Sequence, residues 1–166
     1  MPMLLERGGE TPERWTLIDE AAPLPPEGAV IVPLERLDEA IATGPALRLG
    51  LTLPNDASVT PLRPRFQRLA LVRVVFPTFS DGRGFSLARR LRSAGYAGRL
   101  RAAGPLIADQ FGHLLACGYD EVEVADAVAA RQPAEQWLAA LGKITRFYQS
   151  RPDAAPIAAA RHARGA

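Results

Sequence analysis

The 166-residue sequence is 48% hydrophobic, carries a formal charge of +2 and has one cysteine. That length suits one domain burying about two-thirds of its unfolded surface. No apolar run approaches the ~18–20 residues of a membrane span. Cys117 alone excludes an intramolecular disulfide and fits a reducing cytosol. Residues 1–19 are mixed and charged, without an apolar signal region, so a cytoplasmic protein is expected.

In chain order, Met3 to Leu5 and Trp15 to Ile18 read as two short strands of an N-terminal β-hairpin, joined across Gly8-Gly9 and a Thr11-Pro12 turn. A Pro-rich connector follows, then a strand over Ala29 to Val32. A helix comes next, with Leu34, Leu37 and Ile41 on one stripe, and Gly44-Pro45 ends it. Leucines alternate through Ala46 to Leu53, the period of a strand. Pro61 and Pro64 predict a short or broken helix over Val59 to Arg68. Leu69 to Phe76 is a buried strand, and Ser86 to Ala94 a helix stopped by Gly95. Arg99 to Ala103 alternates as another strand. Pro105 suits the first position of a helix whose apolar face is Ile107, Phe111, Leu114 and Leu115. Tyr119 to Val124 is a strand, Asp126 to Arg131 and Pro133 to Ile144 are helical, and the Ala/Arg/Pro-rich segment 151–166 is expected to be a disordered tail behind one domain over 1–150.

Strand–helix repetition behind a hairpin predicts an α/β fold with a mainly parallel sheet, either open and three-layered or a partial β/α barrel. Ligands in such folds bind beyond the carboxyl ends of the strands. Those ends carry Asn55 and Asp56, then Ser80, Asp81 and Arg83, then Arg101 and Gly104, then Asp126. The stretch from Phe76 to Ser86 is the centre of this pattern: a strand, a loop holding Gly82 and Gly84, and a helix start. Free helix N–H groups and the macrodipole favour an anion there, and Arg83 adds a forked donor. The candidate anion site is therefore Asn55, Asp56, Ser80, Asp81, Gly82, Arg83, Gly84, Ser86, Arg101 and Gly104, with Asp81 the candidate acid or base, alone or with Asp109. A purely structural reading is also open. In it Asp81 bonds its own backbone, the glycines supply positive φ, and Ser80 or Asp81 caps the helix.

Charge is unevenly placed. Residues 1–60 hold ten acids and four bases, whereas residues 61–101 hold ten arginines and one acid, Asp81. This predicts either an electropositive face for an acidic partner or an anionic ligand, or arginines that bridge back to the acidic N-terminal part. Nucleic acid is disfavoured because the acidic third opposes a polyanion and no recognised module is present. The loop lacks the Gly-Lys-Ser/Thr of a P-loop and the spacing of a dinucleotide fingerprint. His113 and Cys117, four apart on a helix, share a face, but no further ligand completes a metal set, and one cysteine cannot hold a cluster. No cofactor and no metal are expected.

The chain resembles a bacterial family catalogued as domain of unknown function 934. The likeness rests on Leu53-Pro54-Asn55-Asp56 and on Phe76-Pro77, Phe79 and Asp81-Gly82-Arg83-Gly84-Phe85-Ser86. It continues through Ala88-Arg89, Leu91-Arg92, Gly95-Tyr96, Gly98, Leu100-Arg101-Ala102, Gly104, Asp109-Gln110 and Cys117-Gly118-Tyr119-Asp120. Members of that family are encoded beside assimilatory sulfite reductase and phosphoadenylyl-sulfate reductase and carry the label oxidoreductase. The resemblance implies an accessory role in sulfate and sulfite reduction, with sulfite reductase or a small oxyanion as partner, or else an enzyme acting on a small anion at the same site. Pro105 and Ala108 stand where the family pattern has an acid and an arginine.

Overall fold

The computed structural model describes residues 2–149, with side chains to residue 142; the tail expected over 151–166 lies outside the described residues. Its strands are β1 (Met3–Glu6), β2 (Gly9–Thr11), β3 (Thr16–Leu17), β4 (Gly28–Pro33), β5 (Leu47–Pro54), β6 (Leu69–Val75), β7 (Arg99–Gly104) and β8 (Glu121–Val124). They form one eight-stranded sheet in the order β2-β1-β8-β7-β6-β5-β4-β3. From β3 to β8 every neighbouring pair is parallel.

Spatial order from β3 to β8 follows chain order, so each crossover steps the same way across the sheet. Right-handed crossovers that never reverse direction place all their helices on one face. The sheet therefore curls into half of a β/α barrel, with no second helical layer among the described residues. Of the two architectures expected, the partial barrel is the one adopted.

The helices are α1 (Leu37–Thr43), α2 (Arg83–Ser93), α3 (Phe111–Cys117), α4 (Asp126–Ala129) and α5 (Ala134–Gln149). They cover Val30, Val32, Leu49, Leu51, Leu53, Val72, Val74, Leu100, Ala102, Val122 and Val124. Leu87 and Leu91 of α2, Phe111 and Leu114 of α3 and Trp137 of α5 are all fully buried against that side. Phe111 and Trp137 meet edge to face, with ring centroids 5.7 Å apart. Burying a side chain of this size contributes about 1.5–3 kcal/mol, so this single apolar layer is the main stabilising feature.

Four local expectations change. The N-terminal hairpin pairs β1 with β2 across the two-residue turn Arg7-Gly8, with Glu6 opposite Gly9; Thr16–Leu17 instead joins β4 in parallel at the far edge. Thr60–Arg68 is a continuous 3₁₀ helix, because Pro64 removes a donor and its ring would strike the carbonyl four residues back in an α-helix. Helix α2 begins at Arg83, three residues earlier than its apolar stripe indicates. Pro105 does not open a helix. Leu106 N–H donates to Gly104 O at 2.8 Å, closing a γ-turn around the proline, and Ile107 is extended before the short 3₁₀ turn Ala108–Gln110.

Candidate functional site

At the carboxyl ends of β5 and β6 the chain must turn into Pro54-Asn55-Asp56 and into Pro77 to Gly82, and these two turns meet. Arg83 Nη2 donates to Asp81 Oδ2 at 2.7 Å and Nη1 to Asp56 Oδ2 at 3.2 Å. Arg83 N–H also donates to Asp81 Oδ1 at 3.1 Å, so Asp81 bonds the backbone two residues on, while the N-cap position of α2 falls to Gly82. The Arg83 guanidinium, then the Asn55 amide, then this backbone N–H hold the Asp81 carboxyl well below the usual carboxylate range. Asn55 is 3% exposed and its Nδ2 has no well-formed hydrogen bond among the described residues. The protein's own carboxylate thus occupies the helix start that the sequence offered to an anion. Two aspartates outweigh the one arginine, leaving this cluster with a net charge of −1.

Asn55, Asp56, Asp81 and Arg83 come together; the other predicted residues have different placements. Ser80 shares a 3.2 Å hydrogen bond with Thr78 on the loop surface, and Ser86 lies exposed in the first turn of α2. Gly82 has φ −76°, an ordinary helical value, so it supplies no positive φ. Gly84 is needed for space: a Cβ there would lie 2.2 Å from the Phe76 ring. Its carbonyl accepts from Tyr119 Oη at 2.8 Å. Gly104 does have a positive φ, +132°, and a Cβ on it would lie 2.3 Å from Phe76 O. Both glycines let the β6 end pack tightly. Asp109 is exposed and is not among the groups that act on Asp81. His113 Nε2 and Cys117 Sγ are 3.7 Å apart, with the imidazole against Phe85. Among the described residues no group of three or more His, Cys, Asp or Glu is placed to hold a metal.

Arg101 sits elsewhere. It is 1% exposed within β7, on the concave face, which carries no helix among the described residues. Strand alternation puts Arg73, Arg99, Arg101, Glu121, Glu123 and Glu6 on that face. Arg101 Nε donates to Glu121 at 2.7 Å and Nη2 to Glu13 at 3.1 Å. Arg73 and Arg101 lie directly opposite each other on adjacent strands, a like-charge pairing that alone would be unfavourable. Glu123 divides them, accepting from Arg73 Nη2 at 2.7 Å and Arg101 Nη1 at 3.3 Å. Burial raises the Glu123 pKa, but the Arg73 and Arg101 contacts more than offset it and leave it lowered. Glu13 is lowered in the same way, chiefly by Arg101 against burial. The alternation Arg99/Arg101 and Glu121/Glu123 was visible in the sequence, but not that the two strands would be neighbours in register.

Of the arginines in 61–101, Arg65, Arg73, Arg83, Arg92, Arg99 and Arg101 each bind a carboxylate. Arg65, Arg83, Arg99 and Arg101 reach acids in residues 1–60, namely Asp38, Asp56, Glu6 and Glu13, so bridging accounts for much of the charge asymmetry. Arg89 and Arg90 remain exposed on α2, where Arg83, Ser86 and Arg90 recur at i, i+3 and i+7 along one face. In the loop that leads into α2, Phe79 is 56% exposed. Its carbonyl accepts from Gln110 Nε2 at 2.6 Å, and Gln110 Oε1 accepts in turn from Ile107 N–H at 3.1 Å. The aromatic ring is therefore carried on a loop that Gln110 ties to the turn after Ile107.

No helix among the described residues is long and apolar enough to cross a membrane. No curated protein matches the chain. A family model described as a bacterial protein of unknown function, DUF934, matches residues 50–158, a span that begins inside β5 and includes the whole Phe76–Ser86 loop. With the strand-end loop, its fastening glycines and α2 all inside that span, the chain belongs to the DUF934 family.

Proposed function

We propose that the protein is a cytoplasmic accessory component of assimilatory sulfate and sulfite reduction, and that it docks on an acidic partner through the carboxyl-end rim of the half-barrel. Phe79 carries the reading. Phenylalanine is among the residues enriched in protein interfaces, and this ring is held in water on a fastened loop. The basic face of α2, with Arg89 and Arg90, supplies the charge that steers an acidic surface toward it. Asp81 and Asp56 more than neutralise Arg83, which disfavours a free small oxyanion at this turn. The enzyme reading draws little from the same geometry, because Asp81 is held ionised, far from the near-neutral pKa that general acid–base catalysis uses.

The test is co-purification with assimilatory sulfite reductase at low salt. Wild-type protein is expected to be retained and released by salt, while Phe79→Ser and the Arg89→Glu, Arg90→Glu double variant elute free with unchanged melting temperatures. Failure of the folded wild-type protein to be retained at low salt removes the docking role.

A further inference from the structure

The concave face opens at the amino ends of β5, β7 and β8 into a cavity of about 270 Å³, at the opposite end of the strands from the docking rim. We propose that this cavity is a binding site for one small oxyanion, of the chemistry shared by sulfate, phosphate and short carboxylates.

Charge balance is the first reason. Around the cavity Arg14, Arg48, Arg99 and Arg101 confront Glu6, Glu13 and Glu121. The three carboxylates are bound by Arg99 and Arg101. Arg14 and Arg48, both on the cavity wall, have guanidiniums with no carboxylate or carbonyl partner among the described residues. One positive charge is left over, and it resides where the cavity opens.

Geometry is the second. The Arg48 guanidinium lies over the Trp15 ring, 4.9 Å from its centroid. Stacking fixes a guanidinium through its face and leaves the N–H donors in its plane unspent. Those donors form the planar fork that recognises carboxylate, sulfate and phosphate groups. Arg99 contributes Nη1, since its bonds to Glu6 and Glu121 use Nε and Nη2. The Thr11 hydroxyl, also on the wall, is buried and has no hydrogen-bond partner among the described residues, a condition that buried polar atoms seldom keep without a ligand or water. Glu6 and Glu121 line the same cavity; held by Arg99 and Arg101, they oppose a second negative charge, so the site takes a single compact anion. Its volume lies just below the ~300–1,000 Å³ typical of organic-ligand pockets, which fits an occupant of a few heavy atoms.

Trp15 reports on the site, and the fully buried Trp137 supplies a constant background. Titrating the full chain with sulfate, phosphate or acetate against chloride at constant ionic strength is expected to give a saturable change in tryptophan fluorescence for at least one oxyanion, with a parallel rise in melting temperature. Arg14→Gln, whose side chain holds nothing else in place among the described residues, is expected to weaken that oxyanion at least tenfold while the unliganded melting temperature stays unchanged. Arg48→Gln is expected to remove the melting-temperature rise altogether. Responses matching chloride for all three oxyanions, or equal affinity in wild type and Arg14→Gln, overturn the assignment. Neither result bears on Phe79 or on retention by the reductase, so the two proposals fail separately.

Discussion

Glu13 reaches across 88 positions of sequence to Arg101, accepting from its Nη2 at 3.1 Å and again from Nη1. This contact lays the segment between β2 and β3 over the concave face and completes the neutralisation of a guanidinium that is 1% exposed. Removing Arg101 leaves Glu13, Glu121 and Glu123 facing one another with little water. Arg101→Leu is therefore expected to cost about 3–5 kcal/mol, the range for breaking a buried pair from one side. Glu13→Gln, after which Arg101 still has two carboxylates, is expected to cost about 1.5–3 kcal/mol. Urea unfolding of both variants checks the order as well as the sizes.

Acid should loosen the same face. Glu13 and Glu123 have folded-state pKa values below the ordinary glutamate value of 4.5. A depressed carboxylate binds its proton more readily in the unfolded chain, so its stabilisation is complete above 4.5 and is lost as pH falls through the folded value. The unfolding midpoint in urea should hold steady from neutral pH to near 5 and then decline. In Glu123→Gln the decline should be shallower, and the midpoint at neutral pH lower. An identical acid slope in that variant contradicts the assignment.

Gly82 and Gly84, on either side of the first residue of α2, should behave oppositely. Gly84→Ala forces a Cβ to within 2.2 Å of the Phe76 ring and is expected to destabilise by about 1–3 kcal/mol, the usual cost of overpacking. Gly82→Ala meets no atom within 4 Å and keeps an allowed φ. It is expected to stabilise by about 0.4–1 kcal/mol, because the unfolded chain loses freedom. Thermal melts of the pair separate the two cases.

Arg92 closes the amino-end side of the helical layer with a single fork. Its guanidinium donates to Gly118 O at 2.8 Å, Gly98 O at 2.7 Å, Tyr96 O at 3.0 Å and Asp120 Oδ2 at 2.7 Å. A lysine ammonium has the charge but not the planar spread of donors. Arg92→Lys is expected to cost about 2 kcal/mol, judging from hydrogen bonds to charged groups. Hydrogen exchange should locate the loss at the turns before β7 and β8, not in the sheet centre.

Much of the architecture is set by short-range pattern, which a linear reading can see. Leucines two apart in 47–53, the arginine and glutamate alternations in 99–101 and 121–123, and the strand, loop and helix around Phe76–Ser86 each declare one face or one turn. Only the assembled sheet decided which strands became neighbours. A crossover that never reverses left one face without helices among the described residues, and the register of β6, β7 and β8 then interleaved Arg73, Arg101, Glu121 and Glu123 there. The same holds for Arg83: its place at a helix start was legible, but that Asp81 and Asp56 would claim its charge depended on two turns converging in space. Periodicity follows from the geometry of a single strand or helix, whereas the partner of a charged side chain follows from which distant backbone comes to lie within about 3 Å of it.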